Sequence, residues 1–76
     1  MLKEHERVVL LTPIASEGLE AGDVGTIVHT YRDGQAYEVE FLALDGHTRA
    51  VATVEANQVR AVTGRDMTHA REIQAV

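Results

Sequence analysis

The sequence predicts an all-β domain of five short strands, on three observations. Apolar and β-branched residues alternate with polar ones over "VGTIVHTY", "AYEVEFL" and "TRAVATVE". Two Asp-Gly pairs, Asp33-Gly34 and Asp45-Gly46, fall between those runs, where a tight hairpin needs residues that accept positive φ. No long stretch before residue 63 carries a helical period. Size sets the scale. A chain of 76 residues forms one domain that buries roughly 60 to 65% of its unfolded surface. Its single core supplies ~3 to 5 kcal/mol, so self-association or partner binding is a natural source of added stability.

The elements follow in order. "RVVLLT", Arg7 to Thr12, reads as the first strand, closed by Pro13, which cannot donate to a central ladder. Pro13 to Asp23 holds turn formers without a period and reads as a long loop, with Leu19 tucked back onto the core. The second and third strands form the hairpin around Asp33-Gly34, and the third and fourth the hairpin around Asp45-Gly46. "EANQ" makes a short turn before the fifth strand, Val59 to Val62. In the tail, Thr63 or Asp66 can cap a short helix whose face would carry Met67, Ala70 and Ile73. A two-turn helix is marginal alone, so it must dock or fray. The domain therefore spans 1–62 and the tail 63–76.

Register follows from the turns. With 33 and 34 as loop residues, Tyr31 faces Ala36, Thr30 faces Tyr37 and His29 faces Glu38. Continued without interruption, Val28 faces Val39, Ile27 faces Glu40 and Thr26 faces Phe41. With 45 and 46 as the next loop, Phe41 faces Ala50, Val39 faces Ala52 and Tyr37 faces Val54. One face then collects Thr26, Val28, Tyr37, Val39, Phe41, Ala50, Ala52 and Val54, and is the expected core. The other collects Ile27, His29, Glu38, Glu40, Val51 and Thr53. Five strands with one long early loop and a brief turn before the last predict a small, partly open barrel of SH3-like type.

Charge narrows the partners. Twelve acidic against seven basic residues give a net charge of −5, which disfavours nucleic acid, because Lys and Arg supply most of the nonspecific affinity for phosphate. The chain has no cysteine, so no disulfide framework and no thiolate zinc site is available. "MLKEHERVVLL" has a charged start and too short an apolar run for a signal peptide or a membrane span, and a cytoplasmic setting is expected. Gly22 and Gly25 resemble a phosphate-cradling step, but a strand follows rather than a helix, no lysine is near, and Asp23 would repel an anion. A turn followed by a close backbone approach accounts for them better.

The stretch "LEAGDVGTIVHTYRDGQAYEVEFLALDGHTRAVATVEANQVRAV" resembles the short bacterial proteins grouped as domain of unknown function 4926. The likeness rests on the Gly-Asp-Val-Gly-Thr step and the Ala-Tyr-Glu-Val-Glu-Phe strand, and extends from about Arg7 to Val62. It implies an SH3-like barrel akin to that of nitrile hydratase β subunits, no established activity, and a neutralising or accessory role beside toxin-like genes.

Four histidines, His5, His29, His47 and His69, fall on separate elements, and only His29 gains a carboxylate partner, Glu38; no metal or other cofactor is expected. Glu38 and Glu40 share a face, but acid/base catalysis needs a desolvated cleft that a barrel this small does not hold, so no enzyme is expected. Ile27, Tyr31 and Val51 interrupt the polar outer face, with Glu40 between two of them. Together with Met67 and Ile73 of the tail, they form the expected partner-binding set, for another protein or for a second copy in a homodimer. Two further readings are an RNA-binding barrel and a small accessory subunit of a metalloenzyme.

Overall fold

The computed structural model describes residues 2–73. It is all-β, with five antiparallel strands in one open sheet: β1 (Arg7–Leu10), β2 (Val24–Tyr31), β3 (Ala36–Leu42), β4 (Thr48–Glu55) and β5 (Val59–Ala61), in the order β4-β3-β2-β1-β5. The last strand returns to lie beside the first, and β4 stands at the opposite edge. A short 3-10 turn, Ala56–Gln58, links β4 to β5. It is closed reciprocally: the Glu55 side chain accepts from the Gln58 backbone, while the Glu55 amide donates to Gln58 Oε1 at 2.6 Å.

The two hairpins differ. Asp33 (φ 56°) and Gly34 (φ 90°) form the expected turn with positive φ at both central positions, and the Gln35 amide closes it onto the Arg32 carbonyl at 3.2 Å. Arg32 is drawn to positive φ as well. The second hairpin departs from the two-residue loop. The Ala43 amide donates to the His47 carbonyl, and the Gly46 amide to that of Ala43, so Leu44, Asp45 and Gly46 are the loop and Gly46 takes φ 95°. The extra residue is absorbed by a bulge at Arg49, since Leu42 faces Thr48 while Phe41 faces Ala50. Beyond it, the expected pairs Phe41–Ala50, Val39–Ala52 and Tyr37–Val54 are all present.

A second bulge overturns part of the β2 register. Tyr31, Thr30 and His29 face Ala36, Tyr37 and Glu38 as expected, but Ile27 then faces Val39, Thr26 faces Glu40 and Gly25 faces Phe41. Val28 is the unpaired residue. Ile27 is therefore fully buried, and Val28 is exposed at 41%. Placing Ile27 on the outer face and Thr26 and Val28 in the core was incorrect. The physical reason is on the opposite side of β2. The N-terminal segment pairs with the same residue, His5 donating to the Ile27 carbonyl at 2.7 Å and the Ile27 amide to Glu6 at 2.9 Å. Both edges of Ile27 are thus held in register with the core.

Val8, Leu10, Ile27, Val39 and Val54 are the largest fully enclosed side chains, surrounded by Leu19, Tyr37, Phe41, Ala50, Ala52 and Val59. Leu19 reaches the core because Ile14 and Leu19 exchange backbone hydrogen bonds at 3.0 and 3.1 Å, which pinches the long loop. Gly22 turns the chain into β2, its amide donating to the Leu10 carbonyl at 2.7 Å. Gly25 lies flat against β3, where a Cβ would meet the Glu40 carbonyl at 2.9 Å.

The tail forms no helix within its described residues, 63–73; positions 74–76 lie outside them. Thr63 and Asp66 make the capping contacts, Asp66 accepting the Thr63 amide at 2.7 Å, but a turn follows instead of a helix. Arg60 takes the same carboxylate with both terminal nitrogens, at 3.0 and 2.8 Å, and holds Asp66 against β5. Two helical turns would add little on their own. What anchors the tail is charge: Arg71 grips Asp23 of the loop before β2.

Candidate protein-binding face

The outer face of the β2-β3-β4 meander is built by three cross-strand rows. Thr26, Glu40 and Val51 form one, His29, Glu38 and Thr53 the next, and Tyr31, Ala36 and Glu55 the third. Because a bulge turns two successive side chains the same way, Val28 joins His29 on this face. Val51 (46% exposed) and Leu42 (47% exposed) extend its apolar area. Tyr31 packs edge-on against His29 with ring centroids 4.5 Å apart.

Hydroxyl groups pin the two carboxylates. Thr53 Oγ1 donates to Glu38 Oε1 at 2.7 Å, and Tyr31 Oη reaches the same oxygen at 3.3 Å. Thr48 Oγ1 donates to Glu40 Oε2 at 2.6 Å. Desolvation and then the negative charge of Glu38 raise the Tyr31 phenol above its ordinary pKa, so it remains a donor through the neutral range. His29 Nδ1 lies 3.7 Å from Glu4 Oε2, a second acid beside the ring. Among the described residues, no group of three or more His, Cys, Asp or Glu side chains is arranged to hold a metal ion.

The expected binding residues separate into three sets. Tyr31, Glu40 and Val51 do share the outer face. Ile27 does not: it is core, and Val28 takes the place expected for it. Met67 (91% exposed) and Ile73 lie on the non-helical tail and form no stripe. Reading by strict alternation missed Val28. The signal available was the consecutive apolar pair Ile27-Val28, which one alternating strand cannot bury on a single face.

A second polar cluster lies where the tail meets the long loop. Arg71 Nε and Nη2 donate to Asp23 Oδ1 and Oδ2 at 2.8 and 2.6 Å, and Nη2 also reaches the Gly18 carbonyl at 3.1 Å. Glu20 adds a looser contact at 3.6 Å to Arg71 Nη1. Burial pushes the Asp23 carboxyl up, but the Arg71 hydrogen bonds, the Glu20 amide and the guanidinium charge together outweigh it and hold its pKa below the ordinary value.

With this geometry in place, comparison with known families places the chain: residues 4–61 match the model of the domain of unknown function DUF4926. The chain belongs to that family. The match runs from the N-terminal segment that pairs with Ile27 to the end of β5, and so takes in both hairpins and the outer face. No significant match was found among curated proteins or among solved structures. No helix among the described residues is long and apolar enough to cross a membrane.

Proposed function

We propose that the protein is a non-enzymatic, cytoplasmic protein-binding module on an SH3-like, partly open barrel, and that it engages its partner through the outer face of β2-β3-β4 in a neutralising or accessory role. The bulge at Val28 carries this reading. It gives the core position to the larger Ile27 and sets Val28 on a face that already holds Tyr31, Leu42 and Val51. Bulges re-aim side chains, and here the re-aimed valine joins the face that carries the His29–Tyr31 ring pair. Strand order and the 3-10 turn before β5 support the barrel assignment.

The chemistry of the face defines the partner. Glu38 and Glu40 lie on the middle strand of the face, flanked by Val28 and Tyr31 on β2 and by Val51 on β4, and Thr53, Tyr31 and Thr48 fix the two acids in place. A protein surface with Lys or Arg at its centre and apolar groups to either side complements it. Those carboxylates repel phosphate, which weighs against RNA. Glu38 and Glu40 each accept from a threonine hydroxyl on this face, which fixes them as acceptors for a docking partner.

The test is binding of the product of the adjacent gene, measured by titration calorimetry with wild type and with Val28→Lys. Wild type should bind at micromolar affinity or tighter, and Val28→Lys, which leaves the core untouched, should weaken binding at least tenfold. Equal binding by both proteins would refute the outer-face assignment. A micromolar gel shift with mixed RNA at low salt would favour the RNA-binding reading instead.

A further inference from the structure

The free edge of β4 has a chemistry of its own. Strand β4 spans Thr48–Glu55 and pairs only with β3 in the sheet. Which of its backbone groups point outward follows from one bond: the Ala56 amide donates to the Gln35 carbonyl, so 35 and 56 are a hydrogen-bonded pair. In an antiparallel ladder such pairs alternate. Ala50, Ala52 and Val54 therefore bond to β3, while Val51, Thr53 and Glu55 aim their amides and carbonyls at the open edge. The Glu55 amide is taken by Gln58. Those of Val51 and Thr53 have no backbone partner among the described residues.

Edges of this kind are normally blunted by proline, by inward-pointing charge or by brevity. From Ala50 to Val54 this one has neither proline nor charge, and the bulge at Arg49, another such device, lies just outside that run. Its only charges are Arg49 and Glu55, and each lies three positions from Ala52. That symmetry identifies the occupant. We infer that two copies of the chain pair antiparallel along β4 about a two-fold axis at Ala52. Val51 of each copy then exchanges backbone hydrogen bonds with Thr53 of the other, and Arg49 of each, at the bulge where the regular run begins, comes beside Glu55 of the other. A foreign strand would need matching charges supplied by chance, whereas a second copy supplies both. The result is a continuous ten-stranded sheet in which the two outer faces adjoin. This contact uses the edge rather than the face, and stands or falls independently of the partner-binding reading above.

Light scattering coupled to size exclusion, with circular dichroism to check folding, tests it on the full chain. Wild type should elute as a dimer of the 8.3 kDa chain at high micromolar concentration. Thr53→Pro removes an amide that β3 does not use and should yield a folded monomer. Arg49→Glu places like charges opposite each other at two symmetric positions and should raise the dimer dissociation constant about tenfold or more. Val28→Lys, away from the edge, should leave the dimer intact. A wild type that stays monomeric, a folded Thr53→Pro that stays dimeric, an Arg49→Glu that dimerises as tightly as wild type, or a dimer broken by Val28→Lys would each overturn the proposal. If Thr53→Pro does not fold, Arg49→Glu decides.

Discussion

Replacing Gly25 by alanine should damage the fold even though its backbone suits any residue. Gly25 lies within β2 opposite Phe41, and a Cβ built there meets Val39 Cγ1 at 2.5 Å, the Glu40 carbonyl at 2.9 Å and Phe41 Cδ1 at 3.0 Å. Two of the three obstacles cannot swing away. The carbonyl belongs to the adjacent strand, and Val39 is fully buried with its rotamer fixed by the core. Relief requires β2 and β3 to separate locally, and overpacking of this type costs roughly 1 to 3 kcal/mol. Alanine also gains a few tenths to about 1 kcal/mol by restricting the unfolded chain, which leaves a net loss of about 1 to 2 kcal/mol. For a domain this size each kcal/mol lowers Tm by roughly 4 to 8 °C. Thermal unfolding followed by circular dichroism reads the shift, with Gly64→Ala, which meets nothing within 4 Å, as the control. A Gly25→Ala protein as stable as wild type would show that the close approach of β2 to β3 does not constrain the fold.

The bulge can be tested by comparing neighbours. Ile27→Ala should cost about 2 to 5 kcal/mol, while Val28→Ala should cost well under about 1 kcal/mol, and the reverse order in urea unfolding would restore the uninterrupted register. At the hairpin tip, Gly34→Val should cost more than about 1 kcal/mol because a β-branched residue is strained at φ 90°, again measured by urea. The tail latch should release in acid. Asp23 has its pKa lowered by folding, so its contribution is complete above the unfolded value of about 3.9 and disappears as pH falls through the folded value below that. The Arg71 Nε–H resonance should hold its shift from neutral pH to about pH 4 and move toward that of free arginine as Asp23 takes up its proton below that; the same resonance unchanged in Asp23→Asn would mean that Asp23 does not hold the tail.

What was legible in the sequence was whatever local chemistry enforces. Asp33-Gly34 has few alternatives to a turn with two positive φ values, and that turn fixed the pairing of Tyr31, Thr30 and His29 with β3. Tyr37, Val39 and Phe41 alternate cleanly with charged neighbours, so the buried side of β3 was unambiguous, as was that of β4. Alternation failed where two β-formers stand together. Either Ile27 or Val28 can face inward, and the choice is made by the N-terminal segment, whose His5 and Glu6 bond to Ile27 from the far side. No local pattern announces that contact. The tail was misread for a related reason. Thr63 and Asp66 form the predicted cap, but a cap lowers the cost of starting a helix without providing a surface on which to continue it. The Arg71–Asp23 grip spans 48 residues of sequence and has no signature in either segment.

Both bulges lie on the meander and act in opposite senses, which bears on the outer face as a binding surface. The one at Arg49 corrects for a three-residue loop, so the alternation of β4 is preserved from Ala50 onward. The one at Val28 corrects for nothing in its hairpin, whose turn already sets a consistent register; its effect is to change which residues of β2 face outward. A strand without it would bury Val28 and expose Ile27 beside Glu40. With it, the larger side chain fills the core, and Val28 stands next to the His29–Tyr31 ring pair and the acid that Tyr31 bonds. Deleting Val28 separates the two roles. The shortened strand keeps Ile27 against Val39 and His29 against Glu38 without the kink, so stability should be retained or improved. Binding of the adjacent gene's product should fall if the exposed valine is the contact, and a deletion variant that binds as wild type does would move the contact elsewhere on the sheet.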